Sequence, residues 1–380
     1  MSMQEENKEG KYSATFNKMK DDNFSFAYLS LLITPILVVN MFVCFPLDVL
    51  ENFISFERTM HGPVKGLFYA ICYPIIAAVG FPANLVSIII LSRGRCGLSR
   101  CVTYYLVAIA VSDFLVIITG CILNRISRIY FIYSVLSTTS VCKLSTILAR
   151  CSREGSVWLT VAFTIDRFVS ICCQSLKIGY CTVKIASLLI GMICILSCVK
   201  NFPLYNILKP LYILNGLPWL CDIKSIFFTL PAWQAYDWME HILTPILPFL
   251  LILLLNALTV RHILAASKAR KKLRNVQCGR DPEVENRRRS IILLFAISVS
   301  FLLLWATEVG HFFLARFKGD TDFNGLDFQN VDYILQETNN MFQLLSSCNN
   351  VLIYAVSQSR FRREIQTILM CPLTILAVKF

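Results

Sequence analysis

Seven apolar runs, each about as long as a membrane-crossing helix, constrain this chain more than any other feature of its sequence. The runs span residues 67–91, 101–124, 141–165, 181–203, 242–260, 290–313 and 332–356. The first and fifth contain no charged residue, and the second contains only Asp113. Because lipid offers no hydrogen-bond partner to a backbone, segments of about 20 apolar residues cross it as helices. The sequence therefore predicts an all-α membrane protein built as a seven-transmembrane helix bundle.

The composition excludes a soluble globular protein. Of the 380 residues, 56% are hydrophobic and 16% are charged, whereas soluble domains contain roughly 25% charged residues. Seven spans leave no room for a second large domain. We divide the chain into an N-terminal region, 1–64, a seven-helix receptor-like domain, 65–358, and a juxtamembrane helix with a short tail, 359–380. The last segment is predicted to lie along the membrane as an amphipathic helix, with Cys371 as a candidate for palmitoylation.

The loop charges predict the orientation. Between the fifth and sixth runs, residues 261–289 contain ten basic and three acidic side chains, whereas residues 314–332 contain four acidic and two basic ones. Basic loops stay on the cytoplasmic side. The first span therefore starts outside, and the chain is expected to be a multi-pass protein of the plasma membrane. The net charge of +12 is explained by these inner loops and the lipid surface they face, so no nucleic-acid partner is expected.

An eighth apolar run, residues 27–47, precedes the seven. This run is predicted to be either a cleaved signal peptide or an uncleaved signal anchor. The residues before it lack the net positive charge that is typical of the start of a signal peptide. The sequon Asn23-Phe24-Ser25 lies upstream. A glycan on Asn23 therefore requires that residues 1–26 be exported and retained.

Asp113 is a carboxylate near the centre of the second span. A carboxylate there costs on the order of 2.5–3.5 kcal/mol on insertion scales, which makes it a functional candidate. Its expected neighbours are Asn84, Ser156, Ser346 and Asn350, whose oxygens, with those of Asp113, could hold a sodium ion. The alternative is a buried acid hydrogen-bonded to asparagine.

Residues 65 to about 370 resemble the rhodopsin-like (class A) G-protein-coupled receptors. The resemblance rests on motifs in a shared order: Asn84, Asp113, Cys142, Asp166-Arg167-Phe168, Phe301 with Trp305, and Asn350 with Tyr354. It implies a heterotrimeric G protein and arrestin as inner partners, and an extracellular small molecule or peptide as ligand. It also implies a disulfide between Cys142 and Cys221, which would pin the second outer loop over the pocket.

The resemblance assigns transduction to Arg167, which should pair with Asp166 at rest. Many family members add an acid on the sixth span, but this position is Arg287 here and cannot close such a lock. We therefore expect appreciable signalling without ligand. The prolines of the sixth and seventh spans are replaced by Thr307 and Val351, so kinks there are not expected. These replacements also leave open a receptor relic that cannot couple.

Four shorter strings are similar to a small orphan subgroup proposed to sense tryptophan and phenylalanine. They are residues 91–94, 96–99, 230–233 and 254–264. This similarity implies an aromatic amino-acid ligand and coupling through the phospholipase C branch. Ala149 stands where the aminergic receptors have their amine-binding aspartate, and the seventh span contains no lysine for retinal. Amine and light sensing are therefore disfavoured.

Three ionisable side chains, Arg150, Arg153 and Glu154, fall within the third span. Charges at this depth avoid lipid. Arg150 and Glu154 are four residues apart and could neutralise each other. Alternatively, Arg150 grips a ligand carboxylate while an acid binds an amine. The candidates for that acid and for a pocket-wall donor are Glu154, Glu308, Glu337, Glu240 and His311.

Two other functional classes, a transporter or channel and an enzyme, are less consistent with the sequence. A transporter or channel could use the intramembrane charges, but the two halves of the chain show no repeated broken helices. An enzyme is disfavoured because no hydrolase or metal-binding motif is present, and no cofactor other than sodium is expected.

Overall fold

The computed structural model describes residues 67–131, 134–273, 282–318 and 331–377. Its side chains are described over 68–131, 134–213, 215–266, 291–314 and 334–368. The apolar run at 27–47 and the sequon at Asn23 therefore lie outside the described residues. The side chains of Arg287 and Cys371 also lie outside them.

The described residues form a helical bundle, which confirms the predicted all-α class. We label the seven long helices α1–α7 and the C-terminal helix α8. Their bounds are Leu67–Ser92 (α1), Arg100–Tyr130 (α2), Thr139–Cys172 (α3), Val183–Asn201 (α4), Pro231–His241 continuing through Ile242–Ile246 and Leu247–Leu273 (α5), Pro282–Lys318 (α6), Val331–Ser357 (α7) and Ser359–Ala377 (α8). Shorter helices lie at Val135–Ser137, Gln174–Tyr180, Phe202–Asn206 and Ile226–Thr229.

The helix ends follow local sequence signals. Ser99 and Thr182 accept hydrogen bonds from the backbone N–H groups of Val102 and Ile185, which caps the first turns of α2 and α4. Pro231 occupies the first turn of α5, where its missing N–H costs nothing.

Two helices are longer on the outer side than the apolar runs predict. α2 continues beyond residue 124 through a π-helical segment, Ile117–Ile126, and ends at Tyr130. α5 begins at Pro231, eleven residues before the predicted start at 242, and passes through a π-helical turn around Pro245. Hydropathy missed both extensions because their residues are amphipathic and lie beside the outer loop.

Among the residues that the structure describes, six helices, α1–α6, are long and apolar enough to cross a membrane. α7 falls below that composition because polar side chains occupy its buried face. These are Glu337, Asn339, Gln343, Ser347 and Asn349. α7 packs between α1 and α6. The predicted seventh span is therefore a helix whose polar residues face its neighbours.

Four short strands lie in the second outer loop. β1 (Leu208–Lys209) pairs antiparallel with β4 (Asp222–Ile223), and β2 (Tyr212–Leu214) with β3 (Leu217–Trp219). The β2–β3 turn is Asn215-Gly216, and both residues have positive φ, 53° and 75°. This conformation suits an Asn-Gly hairpin. The hairpin positions the loop that covers the outer cavity.

The inner half is held by an apolar cluster shared by several helices. Tyr105, Phe163 and Leu294 are almost fully buried in it, together with Tyr354 of α7. Phe361 of α8 is buried against Tyr354, with 5.8 Å between ring centroids. This contact fixes α8 beside the inner end of α7.

Candidate functional site

The outer end of the bundle is closed by a disulfide between Cys142 of α3 and Cys221 of the second outer loop, with Cα atoms 5.8 Å apart. The predicted disulfide is therefore confirmed. Thr139 Oγ1 donates to the carbonyl of Leu220 at 2.7 Å. The N–H of Leu220 donates to the carbonyl of Ser137 at 2.8 Å. Together these bonds hold the loop over the helix ends.

A cavity of about 290 Å³ lies under this loop. Its apolar wall comes mainly from the loop and includes Leu204, Ile207 and Phe227. Its charged wall is formed by four arginines and one acid: Arg125 and Arg128 of α2, Arg150 and Arg153 of α3, and Asp222 of β4. A volume near the lower end of the usual range, about 300–1,000 Å³, suits a small ligand.

Of the predicted ligand-binding residues, the structure brings Arg150 and Arg153 to this cavity. Three further residues that line the cavity were not predicted from the sequence: Arg125, Arg128 and Asp222. The two α2 arginines follow residue 124, where the apolar run ends, so a helix boundary set by hydropathy left them in a loop. Arg125 and Arg128 are three residues apart just after Asn124. This helical spacing was the signal that could have placed them on α2.

Neither Arg150 nor Arg153 forms an ion pair with a described residue. The Nε of Arg153 is buried, and within the described part of the chain it has no hydrogen-bond partner. Arg153 lies within electrostatic range of two cations, Arg150 and Arg125, and of two acids, Glu308 and Glu240. The two neighbouring arginines of α3 therefore present positive charge to the cavity.

Glu154 does not neutralise Arg150, which corrects that alternative. Its carboxylate instead contacts Lys200 of α4 at 2.8 Å and accepts a hydrogen bond from Asn201 at 2.7 Å. The same ammonium lies 2.7 Å from Glu240 of α5 and donates to Thr244. Residues 153 and 154 are turned by about 100° from each other around the axis of α3, so Glu154 reaches α4 while Arg150 and Arg153 line the cavity. This network connects α3, α4 and α5.

The remaining candidate acids occupy different surroundings. Glu337 of α7 lies 2.6 Å from Arg125 and accepts a 2.6 Å hydrogen bond from Tyr73 of α1. Glu308 forms no ion pair with a described residue and does not line the cavity. His311 lies one turn further along α6, and its buried Nε2 has no partner among the described residues. An amine-binding role for Glu308 stays a prediction.

Asp113 lies in a polar core below the cavity. Its carboxylate accepts hydrogen bonds from Ser156 at 2.6 Å and from Asn350 at 2.7 Å, and Ser347 adds a third. Asn84 does not contact Asp113, contrary to expectation, because its amide donates to the carbonyls of Gly80 and Ser347 at 3.0 Å. Ser347 therefore replaces Ser346 and Asn84 as a direct partner.

A small cavity of about 20 Å³ adjoins this core. Ser156, Ser346 and Asn350 line it, together with Trp305 and Arg153. A space of roughly 10–15 Å³ holds one water molecule, so one water or one small ion fits. Arg153 lines both this space and the outer cavity.

At the inner end of α3, Asp166 and Arg167 are both buried and form the predicted pair. Arg167 Nε donates to the Asp166 carboxylate at 3.0 Å, and the thiol of Cys101 donates to the same group at 3.1 Å. Phe168 is half-buried beside them. Further out, the rings of Phe301 and Trp305 stack with centroids 5.5 Å apart.

Comparison with known proteins decides the family. Residues 83–354 match the family described as 7 transmembrane receptor (rhodopsin family). The chain belongs to this family. It is 24% identical to the FMRFamide receptor of Drosophila melanogaster over 308 residues, which cover 76% of this chain and 51% of that receptor. It is 25% identical to G-protein coupled receptor 39 of Homo sapiens over 337 residues, which cover 80% of this chain and 73% of that protein.

The family assignment identifies the chain as a multi-pass membrane receptor of the G-protein-coupled class, and not as an enzyme. It does not favour a transporter or channel. The match includes every transduction residue named above, from Asn84 to Tyr354. The chain spans about half the length of the FMRFamide receptor. Similarity to the orphan aromatic-amino-acid subgroup is not confirmed by these relatives.

Proposed function

We propose that this receptor binds a small extracellular ligand with a carboxylate and activates a heterotrimeric G protein. The observation that carries the proposal is the position of Arg153, which lines both the outer cavity and the small cavity beside Trp305. A ligand that moves Arg153 acts on a wall shared with the polar core. No separate relay is needed between the two spaces.

The ligand class follows from the wall. Arg150 and Arg153 offer planar guanidinium groups that suit a carboxylate, and Phe227 with the aliphatic loop residues suits an apolar body. An aromatic amino acid or a short peptide has both parts. One relative is an FMRFamide receptor, which agrees with a peptide but not with a terminal carboxylate, because an amidated peptide lacks one. Similarity of the four strings to the orphan subgroup supports an aromatic amino acid and the phospholipase C branch.

The inner end supports G-protein coupling through Arg167. Its side chain is held by the adjacent Asp166, so rotation of the arginine opens this pair without unpacking a helix. Arg287 replaces the acid that locks many family members, and we propose measurable signalling without ligand. Arrestin is proposed as a second inner partner, with the inner ends of α5 and α6 and with α8 bordering the docking face.

Sodium is proposed as an ion of the polar core. The oxygen donors fit: Ser156, Ser347 and Asn350 line a space of one-ion size, and Ser156 and Asn350 donate hydrogen bonds to the adjacent Asp113 carboxylate. These are the oxygen ligands that such a hard cation takes. A sodium ion there would supply a positive charge that holds α2, α3 and α7 together.

The proposal is tested by expressing the full chain and recording calcium release on addition of tryptophan, phenylalanine and short peptides. Release that disappears in an Arg167→Ala variant with unchanged surface expression supports a coupled receptor. Solute uptake that persists in the same variant would instead support transport. An N-terminal epitope is labelled on intact cells. Labelling would show that the receptor is at the plasma membrane and that its N-terminal side is extracellular.

A further inference from the structure

We propose that the Cys142–Cys221 disulfide is a thiol-exchange site, at which a low-molecular-weight thiol that enters the outer cavity is captured on Cys221. The sulfur of Cys142 leaves as a thiolate beside the guanidinium of Arg128. This reaction of the cavity wall goes beyond the proposed binding of a ligand, and it does not depend on which ligand the receptor binds.

The side chain of Arg128 lies against the disulfide. Its Nη2 donates to Cys142 Sγ at 2.7 Å and lies 3.5 Å from Cys221 Sγ. The same nitrogen donates to Asn124 Oδ1 at 3.4 Å, which helps to hold the guanidinium in this position. A neighbouring cation stabilises a thiolate, and a disulfide exchanges faster when the departing sulfur forms the more stable thiolate. Arg128 therefore favours departure of the nearer sulfur, Cys142 Sγ.

The two sulfur atoms differ in their access to the outer cavity. Cys221 lines the cavity, whereas Cys142 is not among the described residues that line it. Cys142 is almost fully buried in an apolar cluster with Leu208. The cavity volume of about 290 Å³ has room for a small thiol. A thiol in the cavity therefore reaches Cys221 Sγ, and the sulfur that it displaces is the one beside Arg128.

Thiol–disulfide exchange at this site needs no added oxidant. The thiolate of the entering molecule attacks Cys221 Sγ, and a bond between these two sulfur atoms forms as the Cys142–Cys221 bond breaks. The electron pair of the broken bond stays on Cys142 Sγ, which becomes a thiolate beside Arg128. The product is a mixed disulfide between the entering thiol and Cys221.

Other contacts hold the second outer loop when the disulfide is open. Leu220 remains bonded to Thr139 and to Ser137 through the two hydrogen bonds described above. β1 also pairs with β4, which directly follows Cys221. Cys142 and Cys221 are therefore expected to stay close together, so that the exchange is reversible. In the mixed disulfide the captured group lies in the outer cavity, because Cys221 lines it.

The test measures exchange on the purified full-length receptor in lipid nanodiscs. Free thiols are first blocked with iodoacetamide. 2-Mercaptoethanol is then added for a series of times, and the new thiols are labelled with N-ethylmaleimide. Mass spectrometry of the peptides gives the rate constant and identifies the sulfur that carries the mercaptoethanol group. We expect the mercaptoethanol group on Cys221 and the maleimide on Cys142.

Variants assign the rate to Arg128. Arg128→Gln should slow the exchange about tenfold or more, because it removes the charged donor at the departing sulfur. Arg128→Lys keeps the charge and should stay within about threefold of the wild-type rate. Lys143→Gln is the matched control: it removes the charge next to Cys142 in the chain, but the ammonium of Lys143 lies 5.2 Å from the ring centroid of Tyr205. This control should keep the wild-type rate.

Rates in denaturant separate a local effect of Arg128 from a folding defect. In dodecyl sulfate with urea, the wild type and the three variants should exchange at one rate, because residue 128 is no longer held beside the sulfur. Equal or faster exchange in folded Arg128→Gln would overturn the proposal, as would a difference between the variants that persists in denaturant. A mercaptoethanol group on Cys142 instead of Cys221 would also overturn it. So would a folded receptor that resists every thiol concentration that opens the denatured protein.

Discussion

In the outer half of the bundle, buried charges pair across helices, whereas at the inner end Asp166 and Arg167 are neighbours in the chain. Lys200 of α4 connects Glu154 of α3 with Glu240 of α5. These pairs form only when the helices are packed. The inner pair is available whenever α3 is helical, and opening it separates no helices. Cross-helix charges therefore suit a structural and ligand-binding role, and the local pair suits a switch.

The largest expected effect is a loss of signalling, without loss of stability, when the switch residue at the inner end is removed. Arg167→Ala should reduce nucleotide exchange on a purified G-protein α subunit to the receptor-free level, because it removes the side chain that we propose turns into the receptor's docking cleft for the G protein. Unfolding temperature should change little. Arg95→Ala, which removes an exposed charge of the first inner loop, is the control and should keep exchange. Full exchange by Arg167→Ala would contradict the switch assignment.

The next effect tests the outer network. Lys200→Met leaves the carboxylates of Glu154 and Glu240 buried without their shared cation, which should destabilise the folded receptor by about 3–5 kcal/mol. Unfolding in nanodiscs, followed by tryptophan fluorescence, measures this change. Lys184→Met removes an exposed lysine from the inner end of the same helix and should be neutral. If Lys200→Met and Lys184→Met have the same free energy of unfolding, the network does not stabilise the outer half.

A smaller loss is expected where one acid keeps another partner. In Arg125→Met, Glu337 still accepts the hydrogen bond from Tyr73, so the cost should be about 1–3 kcal/mol. A double-mutant cycle with Glu337→Gln gives the pairwise energy. A coupling energy of zero would show that Arg125 and Glu337 act independently.

The smallest effect concerns the polar core between the two halves. Asp113→Asn should abolish the response of ligand affinity to replacement of sodium by N-methylglucamine, a response expected to be about fivefold in wild type. The substitution keeps a hydrogen-bonding side chain of the same size while removing the charge that attracts a cation. A sodium response that survives in Asp113→Asn would show that sodium binds at a site other than Asp113.

The fold was predictable because its main determinants are local. Run length and loop charge predict the helices and their orientation, since a lipid environment requires internal hydrogen bonding and retains basic loops on one side. α7 was identified, despite its buried polar residues, from the length of the run 332–356. The ends of α2 and α5 were not predicted, because amphipathic turns beside a loop have no hydropathy signal.

The candidate site was only partly predictable. Arg150 and Arg153 were singled out by their depth in a span, which is a property of the sequence. The partners of Glu154 and Glu337 were not, because Lys200 and Arg125 come from other helices. Asn84 was expected beside Asp113, but its amide donates to backbone carbonyls instead.

The sequence by itself determined the number of long helices, the family and the local Asp166–Arg167 pair, because each depends on residues close together in the chain or on the apolar solvent around it. Only the tertiary structure decided which acids are already neutralised and which arginines face the outer cavity. Charge pairing across helices depends on rotation and axial position, and a shift of one residue turns a side chain by about 100°.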